Sequence, residues 1–331
     1  MTTALRIAAS GIPPSLLTDA VPPVCRRGVE VLAPPTVEEA GGEVVVAGPE
    51  WPVDDATSFV PSLAALSSVP FGVRLELSVR VAGAWSPFAA GVSLGGASFA
   101  PLAASDGVEA DVDVFRTRAP AEAVRLRLRV RADEAPALLA GRWMLTLSAS
   151  DGVPARSVPG LASPALRLEV PPRSQMDADQ AMASRVCSPT CVAMVLDYWR
   201  RPTALASLAA EMFHPDVDLY GVWPAAILAA GRRGLAGYLL RFPDWSAAAW
   251  CLGRGLPIVA SVRYAAGELT GAAVTQTPGH LIVLTGWMGE EVLVNDPAAS
   301  GVPAVPRRYR RDELARVWLE RTGIGYVIFP V

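Results

Sequence analysis

The stretch Val124-Arg125-Leu126-Arg127-Leu128-Arg129-Val130-Arg131 alternates apolar and charged residues without a break. Only the two-residue period of a β-strand sends successive side chains to opposite faces, so such a stretch cannot sit in a helix with one dry side. Val73-Arg74-Leu75-Glu76-Leu77-Ser78-Val79-Arg80-Val81 has the same pattern. One face of each strand is expected to be buried and the other wet. Shorter candidates lie at 111–115, 143–148 and 166–170, separated by Gly, Pro, Ser and Asp clusters. Together they predict an antiparallel β-sandwich between about Val44 and Val170. The first forty residues carry no comparable signal.

The pattern changes at Val170-Pro171-Pro172-Arg173-Ser174, where two prolines favour an extended linker. Helical periodicity follows over Pro189 to Trp199, Thr203 to Phe213, Pro224 to Arg233 and Trp245 to Arg254. Strands are then expected over Pro257 to Tyr264, His280 to Trp287, Glu291 to Asn295 and Tyr326 to Pro330. Helices followed by an antiparallel sheet form an α+β domain. The expectation is therefore an all-β sandwich domain over residues 1–170 and an α+β domain over 171–331, consistent with a chain of 331 residues.

Composition narrows the function classes. With 51% hydrophobic and 18% charged residues the chain is a packed protein, and its net charge of −3 comes with no lysine and with arginines scattered rather than gathered. A nucleic-acid partner would need a concentrated basic stripe. Two distant histidines and no Cys-x-x-Cys leave no plausible metal shell. Phosphate-loop and dinucleotide glycine motifs are absent, so no cofactor is expected. Four cysteines, Cys25, Cys187, Cys191 and Cys251, are too few for a disulfide framework in a chain this long. The N-terminus has no basic stretch leading into an apolar core, and no run approaches the roughly 18 apolar residues that span a bilayer. A soluble, cytoplasmic protein is the expectation.

Cys187 precedes Ser188-Pro189-Thr190 and an apolar helical run, with Pro189 expected to open the helix and Cys187 to lie just outside it. Free N–H groups and the positive end of the helix dipole would then favour a thiolate over a thiol. Cys191, on the same helical face, is expected to pack in the core with Val195 and Tyr198, and Cys251 to pack inside its own helix. His280 opens one strand and Asp296 closes the next. In a hairpin centred near residue 288 they would face each other at a separation within hydrogen-bond reach. A thiol, an imidazole and a carboxylate so arranged are a nucleophile, its base and its orienter. His214, before Pro215, is expected to cap a helix C-terminus, and the run Arg307-Arg308-Tyr309-Arg310-Arg311 to be a solvated face. Gln175 and Gln180 both precede the nucleophile, and spacing does not choose which could serve an oxyanion.

Taken together, Ser174-Gln175-Met176, Cys187-Ser188-Pro189-Thr190, Tyr220-Gly221-Val222-Trp223-Pro224, Gly279-His280-Leu281, Asn295-Asp296-Pro297-Ala298 and Tyr309-Arg310-Arg311 with Trp318 give residues 171–331 a resemblance. They resemble the bacterial papain-like cysteine peptidases of the bacteriocin-processing, C-39-like type. The resemblance implies a papain-like fold, a peptide or protein substrate, Cys187 as nucleophile, His280 as base, Asp296 as orienter and Gln175 in the oxyanion hole. Ser188 departs from the glycine common at that place. Hydrolysis of a peptide or isopeptide bond is the activity implied. Acyl transfer to an amine by the same thiol, and a non-catalytic binding module, are the rival expectations.

Overall fold

The alternation at 124–131 forms the end of a long strand that helps bend a sheet into two layers. The computed structural model describes residues 3–31, 37–153 and 164–331. Contacts divide the chain into two units, Met1–Val153 with Val222–Leu239 and Val331, and Pro154–Gly221 with Leu240–Pro330.

The first unit begins with β1 (Thr3–Ser10), α1 (Pro14–Asp19), β2 (Arg26–Val31), β3 (Val37–Ala40), β4 (Glu43–Leu66) and β5 (Val73–Val81). It continues through β6 (Ala84–Trp85), β7 (Ala89–Leu94), β8 (Glu109–Ala110), β9 (Phe115–Arg131), α2 (Ala135–Leu139) and β10 (Arg142–Ser150). Its strands are hydrogen-bonded in the order β2-β1-β10-β4-β9-β5-β6. Residues 43–52 of β4 pair with the C-terminal part of β9, whereas residues 58–66 pair with β10. Register shifts after Pro52 and Ala56 separate the two stretches, and another after Ala47 lies within the first. Extra residues bend a strand and deepen its twist, so one continuous ladder supplies both layers of the β-sandwich.

Val124, Leu126, Leu128 and Val130 are buried with Phe59, Leu63, Leu75, Leu77, Leu145 and Leu147. The opposite face, expected to be wet, is exposed at Arg125 and Arg131 but covered around Glu76. Glu76 is 0% exposed, and its carboxylate accepts hydrogen bonds from Arg74, Arg127 and Arg129. Aromatic rings cap these arginines: Phe88 lies 3.8 Å from the Arg127 guanidinium and Phe99 5.4 Å from that of Arg74. A buried carboxylate is tolerable because guanidinium donors fill its acceptor sites. In the first forty residues, β1 carries little alternation because both of its faces are largely buried.

The second half of the chain contains β11 (Leu166–Arg167), α3 (Cys187–Tyr198), α4 (Leu205–Met212), α5 (Trp223–Gly231), β12 (Leu235–Arg241), α6 (Trp245–Gly253) and β13 (Ile258–Tyr264). After these come β14 (Thr277–Met288), β15 (Glu291–Asn295), β16 (Pro306–Arg310), α7 (Arg311–Val317) and β17 (Ile324–Pro330). In the second unit the strands run β17-β13-β14-β15-β16, with β11 beside β14. The segment expected to close the sandwich at 166–170 is thus a strand of this other sheet, where Leu166 pairs with Trp287. Helix α3 packs on β14 and is buried continuously from Ser188 to Leu196, so it is the central helix of the unit. Helix α5 groups with the first unit, and its last residue, Gly231, lies against the Ala65 backbone. No helix among the described residues is long and apolar enough to cross a membrane.

Candidate active site

Cys187 is the first residue of α3 rather than a residue outside it, and Val186 is the cap. Pro189 is still within the first turn, where a missing N–H breaks no intrahelical bond. The Thr190 N–H and hydroxyl both donate to the Val186 carbonyl, at 3.0 and 2.7 Å, and fix that turn. Cys187 is partly exposed, and its thiol is within electrostatic reach of the His280 imidazole and of the Leu281 and Ser188 N–H groups. Burial alone would raise its pKa. His280 and the two backbone donors outweigh burial and hold the thiol below its ordinary 9.0.

Cys191 lies one turn further along and is fully buried, its thiol donating to the Leu281 carbonyl at 3.2 Å. Burial, then the neighbouring Cys187, pushes its pKa well above the ordinary value. The Leu281 peptide thus has its carbonyl held by Cys191, while its N–H acts on the Cys187 thiol. Cys251 is buried inside α6.

His280 and Asp296 meet, although not by facing each other across the hairpin. Val283 pairs with Asn295 and Met288 with Glu291, with a register shift between Leu284 and Gly286. Asp296 follows the end of β15 on a diagonal to His280, and its side chain makes up the offset: Oδ1 lies 2.8 Å from His280 Nε2. Since Nε2 is engaged there, Nδ1 is the ring atom left for the thiol. Burial would lower the imidazole pKa, but hydrogen bonds and charge from Asp296 and Cys187 push it up to about 10. Asp296 is 0% exposed. Burial would raise its pKa too, and His280, Tyr309 and the Ala298 N–H bring it below the ordinary carboxylate value. The balance in all three groups favours a thiolate–imidazolium pair beside a carboxylate.

Gln175 opens a single 3-10 turn capped by Ser174 and is buried. Its N–H donates to the Pro297 carbonyl at 2.8 Å, which ties it to the loop after Asp296. Its Nε2 donates to the Ala183 carbonyl at 2.7 Å, and its Oε1 has no partner. Gln180 is exposed. His214, expected as a helix cap and the one other candidate base, instead bridges Leu219 through its backbone. Its ring is buried, with neither nitrogen bonded.

The arginine run is not simply a solvated face. It forms β16 and opens α7, with Tyr309 and Arg311 both buried. The Tyr309 hydroxyl donates to Asp296 Oδ2 at 2.7 Å. A lone aromatic residue inside a charged strand was the available signal for this inward-facing position, and the flanking arginines masked it.

Residues 167–326 match the family described as Peptidase_C39 like family. Two solved structures are similar over half of the chain. A double glycine motif protease from an AMS/PCAT transporter, solved in complex with the leader peptide, is 22% identical with a TM-score of 0.33, over 50% of this chain and 94% of the other. A C39-like peptidase from Bacillus anthracis is 19% identical with a TM-score of 0.41, over 51% of this chain and 99% of the other. Among curated proteins none matches the chain.

Proposed function

Residues 167–326 belong to the Peptidase_C39 like family and form a cysteine-type peptidase, and from that premise we propose that the chain hydrolyses a peptide or isopeptide bond with Cys187, His280, Asp296 and Gln175. The division into a sandwich accessory domain and a catalytic domain, expected at residue 170, is part of the same proposal, with β11 (Leu166–Arg167) on the catalytic side of the boundary. The observation that carries the reading is the His280 imidazole held 2.8 Å from Asp296 Oδ1 on one side and interacting electrostatically with the Cys187 thiol on the other.

In this reading the thiolate attacks the carbonyl carbon and the π electrons move to oxygen. The N–H of Cys187, which as the first helical residue has no intrahelical partner, meets that oxygen. The second hydrogen of Gln175 Nε2, beyond the one given to Ala183, serves beside it. As the C–N bond breaks, the imidazolium passes its Nδ1 proton to the leaving amine. The neutral imidazole then takes a proton from water, and the resulting hydroxide attacks the thioester. The acid leaves and the thiolate–imidazolium pair returns.

Cleavage of a peptide library by wild type and by Cys187→Ala tests the assignment. The variant should lose activity by on the order of 10³-fold or more while remaining folded. Alkylation by iodoacetamide at pH 6 should fall on Cys187 well before Cys191 or Cys251. A Cys187→Ala variant that cleaves at the wild-type rate would refute the proposal.

A further inference from the structure

The carboxylate of Asp296 is enclosed, and each of its partners is a hydrogen-bond donor. Oδ1 lies 2.8 Å from His280 Nε2 and accepts the Ala298 N–H at 3.0 Å, and Oδ2 accepts the Tyr309 hydroxyl at 2.7 Å. Tyr309 is 1% exposed and sits on β16, where it pairs with Val292 of β15. It therefore reaches the carboxylate from the strand beyond β15, at the oxygen that His280 does not engage. A second tyrosine in the same neighbourhood, Tyr264 on β13, gives its hydroxyl to the Val274 carbonyl instead, at 3.3 Å. Burial, and then the charge of Asp296, push both phenols upward, so neither gives up its proton where the enzyme works.

Two consequences follow from this donor set. A carboxylate bonded through one oxygen alone can swing about its Cα–Cβ and Cβ–Cγ bonds, and a second bond to the other oxygen pins its plane. In addition, three donors aimed at one side chain suit an anion. A side-chain amide in that place would have to set its own NH₂ against one of the donors. We propose that Tyr309 is a positioning residue of the peptidase: its hydroxyl pins Asp296 so that Oδ1 stays on His280 Nε2 and Nδ1 stays on the Cys187 sulfur, and it keeps the orienter an anion. The inference rests on the peptidase reading and deepens it by one residue.

The charged and titratable groups around Asp296 are His280 from β14, Cys187 and Cys191 from α3, Tyr264 from β13, and Tyr309 from β16 with Arg307 beside the two tyrosines. Of these, Tyr309 is the one whose loss strips a hydrogen bond from Oδ2 without touching the thiol or the imidazole. Once stripped, Asp296 accepts a proton at higher pH, and a neutral acid no longer supports the imidazolium.

The test uses the full chain carrying Tyr309→Phe, which retains the ring and its packing. Iodoacetamide alkylation of Cys187 is followed from pH 3 to pH 8, together with kcat and KM on a cleaved peptide. The acid limb of alkylation should move up by about one pH unit, and kcat should fall by about 10-fold with KM within about 2-fold. Tyr264→Phe should leave the limb where it is. Site-specific 3-fluorotyrosine at position 309, a stronger donor of nearly the same shape, should move the limb down, and it provides the readout if Tyr309→Phe does not fold. A limb that moves in neither variant, or a change in KM alone, would overturn the inference while leaving the peptidase reading intact. Wild-type Cys187 reacting at pH 6 like an ordinary thiol would overturn both.

Discussion

At the residue scale, thiolate and imidazolium have separable jobs, and the pKa values on each side of the site allow them to be told apart. His280 is raised to about 10 by its bonds to Asp296 and Cys187 against the lowering effect of burial, so the imidazolium is present below that pH and lost above it. The thiol is held below its ordinary value and remains a thiolate on the alkaline side. In the proposed mechanism peptide hydrolysis needs the imidazolium proton for the leaving amine, so it should decline as pH rises through about 10. Alkylation of Cys187, which needs only the thiolate, should not decline there. Stopped-flow hydrolysis and alkylation measured over pH 8 to 11 check this, and parallel decline of both would contradict it. Cys187 and His280 were legible as candidates because two histidines leave little choice of base. The place of the Leu281 peptide was not legible, since a carbonyl held by the Cys191 thiol leaves no mark in residue types.

At the scale of elements, alternation identified the strands but not what covers them. The polar face of β5 and β9 carries Arg74, Glu76, Arg127 and Arg129, and Glu76 lies at 0% exposure among the three arginines. Removing a buried partner leaves the remaining charges uncompensated, so Glu76→Ala should lower unfolding stability by about 3 kcal/mol in a urea titration. Glu50, which meets Arg80 and Arg125 on the surface with 41% of its side chain exposed, should cost under about 1 kcal/mol when changed to Ala. Equal effects would show that burial does not set the strength of the cluster. The hairpin of β14 and β15 teaches a related lesson. Counting from a turn centred near residue 288 set His280 opposite Asp296, but the turn closes between Met288 and Glu291, so Asp296 lies on a diagonal to His280 even though the register shift after Leu284 draws the two closer. Where a turn closes depends on how its strands pair, so residue counting from an assumed centre misses it.

At the scale of the whole molecule, the segment 222–239 lies within the matched family region yet groups by contacts with the first unit. A Cβ added at Gly231 would lie 2.6 Å from the Ala65 carbonyl oxygen and 2.7 Å from its nitrogen. Backbone cannot give way as a flexible side chain does, so Gly231→Ala should cost about 1 to 3 kcal/mol in thermal or urea unfolding. An unchanged midpoint would mean that this close approach is not part of the folded state. The α+β character of the second half and the β-sandwich of the first follow from periodicity, because the side-chain repeat of an element is a local property. The candidate thiol and imidazole stood out for a different reason, the scarcity of cysteine and histidine in the chain. The tertiary structure alone decided which strands joined which sheet, that an arginine-flanked tyrosine turns inward to a buried carboxylate, and that α5 lies against β4. Each of these is a contact between residues far apart in sequence, and its energy comes from burial and hydrogen bonding that exist only once the chain has closed on itself.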